Sequence, residues 1–187
     1  MLNPFMKLPQ NSRKYLFLIL LALTIVETAV LQIIDIPLKT SVAPGGIVSY
    51  ELAENSQVAT QILASWDTRA QLHAAFSLGF DFLYILSYTL TIIVALLWLA
   101  EDLPEPWPRS GKILAWGMIV AGVADMIENY YLWYMLVNGV SEFAAKWASR
   151  AAWLKFILIG MSIFYIILEL KFIIRRKVFH NNSDFLF

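Results

Sequence analysis

The sequence has no cysteine, and that absence removes several kinds of chemistry. The chain cannot form a disulfide, use a thiolate nucleophile, or bind zinc or an iron–sulfur cluster through cysteine. Histidine is almost as scarce, with only His73 and His180. Carboxylate bundles that bind two metals use Glu-x-x-His pairs, which this sequence lacks. A mixed site of His73 with Asp81 is the one metal-binding alternative, and we expect no metal and no other cofactor.

Charge is also scarce, and it is balanced. Only 15% of the residues are charged, whereas a soluble domain carries about a quarter. The 14 basic and 14 acidic side chains cancel, so no nucleic-acid partner is predicted. The chain also lacks a glycine-rich phosphate loop and a G-x-S-x-G motif. Kinase and hydrolase chemistry therefore has no support.

What the chain has in abundance is apolar residues, at 59% of the total. A helix needs about 20 mostly apolar residues to cross a bilayer. Four segments meet that length, at about residues 15–36, 79–100, 113–136 and 152–174. The sequence therefore predicts an all-α integral membrane protein in which residues 1–187 form one domain, a bundle of four transmembrane helices.

The positions of lysine and arginine predict the orientation of the bundle. Cytoplasmic loops carry an excess of these residues. With both termini in the cytoplasm, the inner side holds Lys7, Arg13, Lys14, Arg109, Lys112, Lys171, Arg175, Arg176 and Lys177. The outer side then holds only Lys39, Arg69, Lys146 and Arg150. We therefore expect both termini in the cytoplasm.

The loop between the first two spans, residues 38–78, is the only sizeable extramembrane segment. After the turn at 44–46, apolar residues recur at near-helical spacing, and Asn55 or Ser56 interrupts them. This pattern predicts an amphipathic helical hairpin in the outer loop, and residues 47–66 form either a lid over the bundle or an interfacial helix pair. Thr68 to Gln71 has capping-box spacing, so the second long helix is expected to begin near Thr68.

Charged side chains inside the spans are the strongest functional signal. Each costs roughly 2.5–3.5 kcal/mol at the centre of a bilayer helix, even on mild scales. At about 1.5 Å per residue, charged residues of all four spans fall in the outer half of the bilayer. We therefore predict one polar pocket lined by Glu27, Asp81, Tyr84, Tyr88, Asp125, Glu128, Asn129 and Lys155.

The charges in this layer do not balance. Asp125 and Glu128 lie three residues apart and would repel each other, so one of the two is expected to hold a proton. Lys155 is the only basic residue at that depth and is predicted to pair with a carboxylate. Protons, a cationic ligand or a metal would balance the remaining acids. The alternative is a buried ion-pair network that only fixes helix register.

Three phrases of the sequence resemble a group of small four-span bacterial membrane proteins that has no assigned activity. They are PGGIVSYELA at 44–53, AAFSLGFDFL at 74–83 and DMIEN at 125–129. The resemblance covers about residues 15–170, and we expect a location in the bacterial inner membrane. The resemblance implies that the positions to test are Glu51, Asp81, Asp125, Glu128 and Asn129.

Three functions stay open at this point. The leading hypothesis is a pocket for a small amphipathic or cationic, lipid-like ligand. The rival is an accessory or assembly subunit, in contact with another membrane protein or with copies of itself, whose polar layer is purely structural. A third hypothesis is an intramembrane enzyme acting on a lipid, with Asp125 and Glu128 as acid and base.

Overall fold

The computed structural model describes residues 9–101 and 103–183. Lys7 lies outside these residues, as does the side chain of Lys177, so two positions of the orientation prediction are not described. The described chain is helical, without a strand in either described range. Its α-helices are α1 (Gln10–Ile34), α2 (Ile47–Glu51), α3 (Ser56–Ser65), α4 (Thr68–Leu99), α5 (Trp107–Asn138) and α6 (Glu142–Ser183), and a 3₁₀ turn (Ile36–Leu38) follows α1.

Four of these helices are long and apolar enough to cross a membrane, namely α1, α4, α5 and α6. This confirms the all-helical prediction with four candidate spans. The helices are longer than the predicted spans because they continue beyond the apolar segments. In particular, α6 begins at Glu142, and the Ser141 hydroxyl accepts a hydrogen bond from Ala144 N over 3.2 Å at its start.

Side-chain caps determine where the helices of the first loop begin. The Asn55 side chain accepts a hydrogen bond from Val58 N over 3.0 Å, so α3 is capped at a predicted position. Helix α4 begins at Thr68, as predicted, but its cap is Asp67, which accepts from Ala70 N over 2.7 Å. The capping box expected at Thr68 is therefore wrong by one residue, because the Asp67 carboxylate provides the cap.

The long helices pack in sequence order. Helix α1 packs on α4, α4 packs on α5, and α5 packs on α6. Helices α2 and α3 pack across α5 and α6 at one end of this bundle. Tyr50 and Trp66, which meet edge-to-face at 5.4 Å, belong to the buried core there together with Leu132. The Trp66 indole donates to the Leu38 carbonyl over 2.8 Å, so the first loop is anchored on the bundle.

Candidate functional site

The site is centred on the ammonium of Lys155. Its Nζ atom lies 2.7 Å from Asp125 Oδ1 and 2.9 Å from Glu128 Oε1, and it also lies 3.3 Å from Glu51 Oε2. All four residues are buried, and Glu128 is fully inaccessible. The ion pair that the sequence predicts for Lys155 is therefore present, with acids from both α5 and α2.

Hydrogen bonds extend this cluster onto α4. The Tyr88 hydroxyl donates to Asp125 Oδ2 over 2.8 Å. The Asn129 amide donates to Asp81 Oδ2 over 2.7 Å. These bonds join α4 to α5 at two points one to two helical turns apart, so α2, α4, α5 and α6 all contribute to one polar cluster. We name it the Lys155 cluster: Glu51, Asp81, Tyr88, Asp125, Glu128, Asn129 and Lys155.

The Lys155 cluster contains four carboxyl groups and one ammonium. Within residues 9–101 and 103–183, Lys155 is the only basic side chain within ion-pair distance of these acids. In the same ranges, neither Glu51 Oε2 nor Glu128 Oε2 accepts a hydrogen bond. Buried charge without a partner is costly. The cluster can therefore accept additional protons or a cation.

A cavity of about 620 Å³ lies beside the cluster. Side chains of both α1 and α6 line it, so we name it the α1–α6 cavity. One part of its wall is polar and includes Asp35, Lys39, Glu51, Asp81, Asp125, Asn129 and Lys155. Another part is aliphatic and includes Leu21, Ile92, Ile159 and Ile163.

Most of the predicted site residues meet at this cavity. Of the eight residues predicted for the pocket, six line the cavity: Asp81, Tyr84, Tyr88, Asp125, Asn129 and Lys155. Glu128 does not line the cavity and lies behind it, bonded to Lys155. Glu27 is also absent from the lining, and it accepts a hydrogen bond from the Ser87 hydroxyl over 3.1 Å. The structure therefore does not bring Glu27 to the cluster, because equal depth does not determine which way a side chain points.

Two acids that line the cavity, Glu51 and Asp35, lie outside the set of predicted pocket residues. Glu51 was indicated only by the resemblance, because it lies outside the four spans. Asp35, at the end of α1, is not among the predicted site residues, yet it lines the cavity and accepts a hydrogen bond from Ile47 N over 2.7 Å, at the start of α2. Its pairing with Lys39 at 3.6 Å has the i,i+4 spacing that could have indicated it.

Tyr50 connects the first loop to α5 near the site. Its hydroxyl donates to the Leu132 carbonyl over 3.3 Å. Burial raises the pKa of Tyr50 above its ordinary value, because the charged phenolate would be poorly solvated there. The hydroxyl therefore stays protonated and remains a donor at neutral pH.

Metal binding is not indicated in the described part of the chain. No group of three or more histidine, aspartate or glutamate side chains within residues 9–101 and 103–183 has the arrangement to hold a metal ion. His73 Nδ1 lies 3.3 Å from the Ile34 carbonyl oxygen, and Asp81 is bonded to Asn129. The alternative of a His73–Asp81 site therefore has no geometric support.

Comparison of the chain with protein-family models, with curated proteins and with solved structures finds no match. The function is therefore inferred from the geometry of the α1–α6 cavity.

Proposed function

We propose that this chain is a multi-pass protein of the bacterial inner membrane, with both termini in the cytoplasm, whose α1–α6 cavity binds a small amphipathic, lipid-like ligand. The observation that carries the proposal is the change of the cavity wall from charged to aliphatic side chains. Ligand pockets typically have a volume of about 300–1,000 Å³ and combine apolar walls with a few polar groups. The four long apolar helices and the lysine and arginine positions support the location.

The rim of the cavity favours a ligand that arrives from the bilayer. Phe156 and Ile163 of α6 line the cavity, and they are 37% and 46% exposed. They lie within a candidate span, so their exposed surface would contact lipid chains. A molecule with an apolar tail can therefore enter sideways and keep the tail in hydrocarbon throughout.

The first loop supplies one wall of the cavity and acts as its lid. Ile47, Val48 and Glu51 of α2 line the cavity. Tyr50 of α2 and Ile62 of α3 are 1% exposed because they pack on the bundle. That packing favours a lid over the bundle rather than a helix pair lying in the headgroup layer, where these side chains would face lipid.

A purely structural role for the cluster explains the cavity poorly. Protein interiors pack at the density of organic crystals and leave few voids larger than a water molecule. An ion-pair network that only fixed helix register would gain from close packing against α1. Instead, a cavity of about 620 Å³ adjoins the acids, and a ligand that fills it accounts for both features.

Co-purification tests this proposal. The protein is extracted into polymer-bounded lipid discs, and native mass spectrometry then measures the mass that stays bound after the annular lipid is removed. The parent is compared with Ile159→Trp, which fills the aliphatic part of the cavity. The control is Ile157→Trp on the same helix, where the side chain is 55% exposed.

We expect a bound small molecule in the parent and in Ile157→Trp, and its loss in Ile159→Trp. Equal retention in all three proteins would show that the cavity is not the binding site. A stoichiometric protein partner without a bound small molecule would instead favour the accessory-subunit hypothesis.

A further inference from the structure

We infer that the ligand carries an alkylated ammonium head, which binds at Asp81 between the carboxylates and the tyrosine rings, and an aliphatic tail directed along α4 toward Ile92. This inference rests on the proposed function and adds the chemical class of the ligand. The evidence for it is the set of charged, aromatic and aliphatic side chains that line the α1–α6 cavity.

Among the four acids of the Lys155 cluster, Asp81 is the carboxylate whose charge is least offset. It lines the cavity and is partly exposed there. Its hydrogen-bond partner is the neutral amide of Asn129, at 2.7 Å. Within residues 9–101 and 103–183, no basic side chain lies within 4.0 Å of it. Asp125, in contrast, pairs with Lys155 and accepts from Tyr88. A cation that enters the cavity would therefore be attracted most strongly to Asp81.

Glu51 presents a second carboxylate to the same space. It is 8% exposed and lines the cavity. Its Oε2 lies 3.3 Å from Lys155 Nζ, but no described group donates a hydrogen bond to it. The hydrogen bonds of Lys155 go to Asp125 and Glu128. Glu51 is therefore left with unused capacity for a positively charged neighbour.

Aromatic rings beside Asp81 favour an alkylated ammonium over a bare cation. Tyr84 and Tyr88 line the cavity, and their ring centroids are 5.2 Å apart. Ammonium groups that carry alkyl substituents bind well against aromatic faces, which attract the charge and contact the methyl groups. A phosphate or carboxylate head would instead meet the excess of acids and be repelled.

The rest of the wall is suited to an aliphatic tail. Ile92 follows Asp81 by eleven residues on α4, which is about 16 Å along a helix. Leu21 of α1 and Ile159 and Ile163 of α6 also line the cavity. These side chains provide no hydrogen bond, so a saturated chain would bind there by burial of apolar surface.

Three probes with the same chain length and different heads test the inference. Dodecyltrimethylammonium, dodecanol and dodecyl sulfate are titrated below their micellar concentrations into the protein in lipid nanodiscs. Ligand-induced stabilisation and tryptophan fluorescence give the apparent affinity. The variants are Asp81→Asn, which keeps an acceptor for Asn129, and Glu27→Gln, a buried acid outside the cavity as the control.

We expect the ammonium probe to bind the parent more tightly than the other two. Asp81→Asn should weaken the binding of the ammonium probe about tenfold or more, because it removes the negative charge that attracts the probe in poorly solvated surroundings. Its affinity for dodecanol should stay at the parent value, which also shows that the variant is folded. Glu27→Gln should match the parent with every probe. Glu51→Gln, on a different helix, is the second variant and should weaken the ammonium severalfold.

The failures of the two proposals are distinguishable. Suppose that Ile159→Trp abolishes binding, but the parent binds dodecanol and the ammonium probe equally well and neither Asp81→Asn nor Glu51→Gln has an effect. The inference of an ammonium head is then wrong, while the proposed ligand cavity stands. If Ile159→Trp leaves the binding of all three probes unchanged, the cavity is not the site and the proposed function falls as well.

Discussion

The carboxylate of Glu51, on the five-residue helix α2, lies 3.3 Å from the ammonium of Lys155 on α6. The same ammonium binds two acids of α5. One buried cation therefore holds the first loop and two long helices together at the edge of the cavity. Because the surroundings are poorly solvated, removing that cation leaves several acids uncompensated at once.

Replacing Lys155 by methionine should therefore destabilise the protein strongly. The substitution keeps the length and the apolar stem of the side chain but removes the charge that three carboxylates share. Breaking one buried ion pair typically costs about 3–5 kcal/mol, and proton uptake by the acids would recover part of this. Unfolding by a denaturing detergent in mixed micelles, followed by tryptophan fluorescence, measures the loss.

Lys146→Met provides the matched control. Lys146 lies on the same helix and pairs with Glu142 at 3.0 Å, but both side chains are about half exposed. Exposed pairs contribute little, so this variant should unfold like the parent. A loss in Lys146→Met as large as in Lys155→Met would show that the effect comes from any charge change on α6.

Gly46 holds α2 in the position that places Glu51. Its φ is +61°, a value that glycine adopts readily and other residues rarely do. A Cβ atom added there would overlap the Asp35 carboxylate, which accepts the hydrogen bond from Ile47 N. Gly46→Ala should therefore displace the start of α2 and destabilise the loop by more than about 1 kcal/mol. Hydrogen exchange should show faster exchange of the amides of residues 47–52.

Gly139→Ala is the control that distinguishes backbone strain from the collision with Asp35 in Gly46→Ala. Gly139 also has a positive φ, +94°, but a Cβ there meets nothing within 4 Å. This variant should leave the exchange of residues 47–52 unchanged. If Gly46→Ala also left it unchanged, Asp35 and Gly46 would not be what positions α2.

The sequence predicts the helices of this protein better than it predicts the site. Long apolar segments have to be helical in a bilayer, so the four spans follow from hydropathy. Depth follows from counting residues, which places Asp81, Asp125 and Lys155 at one level. Rotation does not follow from either, and Glu27 turns toward Ser87 instead of the cavity.

Contributions from the first loop were hardest to predict. Glu51 reaches the cavity through a turn at Gly46 and a five-residue helix, and neither element is periodic enough to reveal which side chain faces inward. The position of Glu51 depends on long-range packing, such as that of Tyr50 on Trp66, which no local pattern encodes.

The hydroxyl of Tyr88 should contribute more to stability than that of Tyr84. Tyr88 donates to the Asp125 carboxylate over 2.8 Å, whereas Tyr84 accepts from the Thr28 hydroxyl over 3.2 Å. A hydrogen bond to a charged group contributes about 1.5–3 kcal/mol and a neutral one about 1 kcal/mol. Tyr88→Phe should therefore lower the free energy of unfolding more than Tyr84→Phe in the same detergent titration. Equal losses would indicate that Asp125 is fully satisfied by Lys155.

Alanine should destabilise the protein at Gly111 but not at Gly160, because only Gly111 lies at a close contact between helices. A Cβ on Gly111 of α5 would lie 2.9 Å from the Leu96 carbonyl oxygen of α4, which is backbone and cannot rotate away. Forcing the helices apart costs roughly 1–3 kcal/mol, so Gly111→Ala should destabilise the protein.

A Cβ on Gly160 of α6 meets nothing within 4 Å. There, alanine removes the helix penalty of glycine, about 0.5–1 kcal/mol, so Gly160→Ala should leave stability unchanged or raise it. Detergent-induced unfolding of both variants beside the parent measures these shifts. Destabilisation of similar size in both would mean that α4 and α5 do not approach as closely at Gly111 as the structure places them.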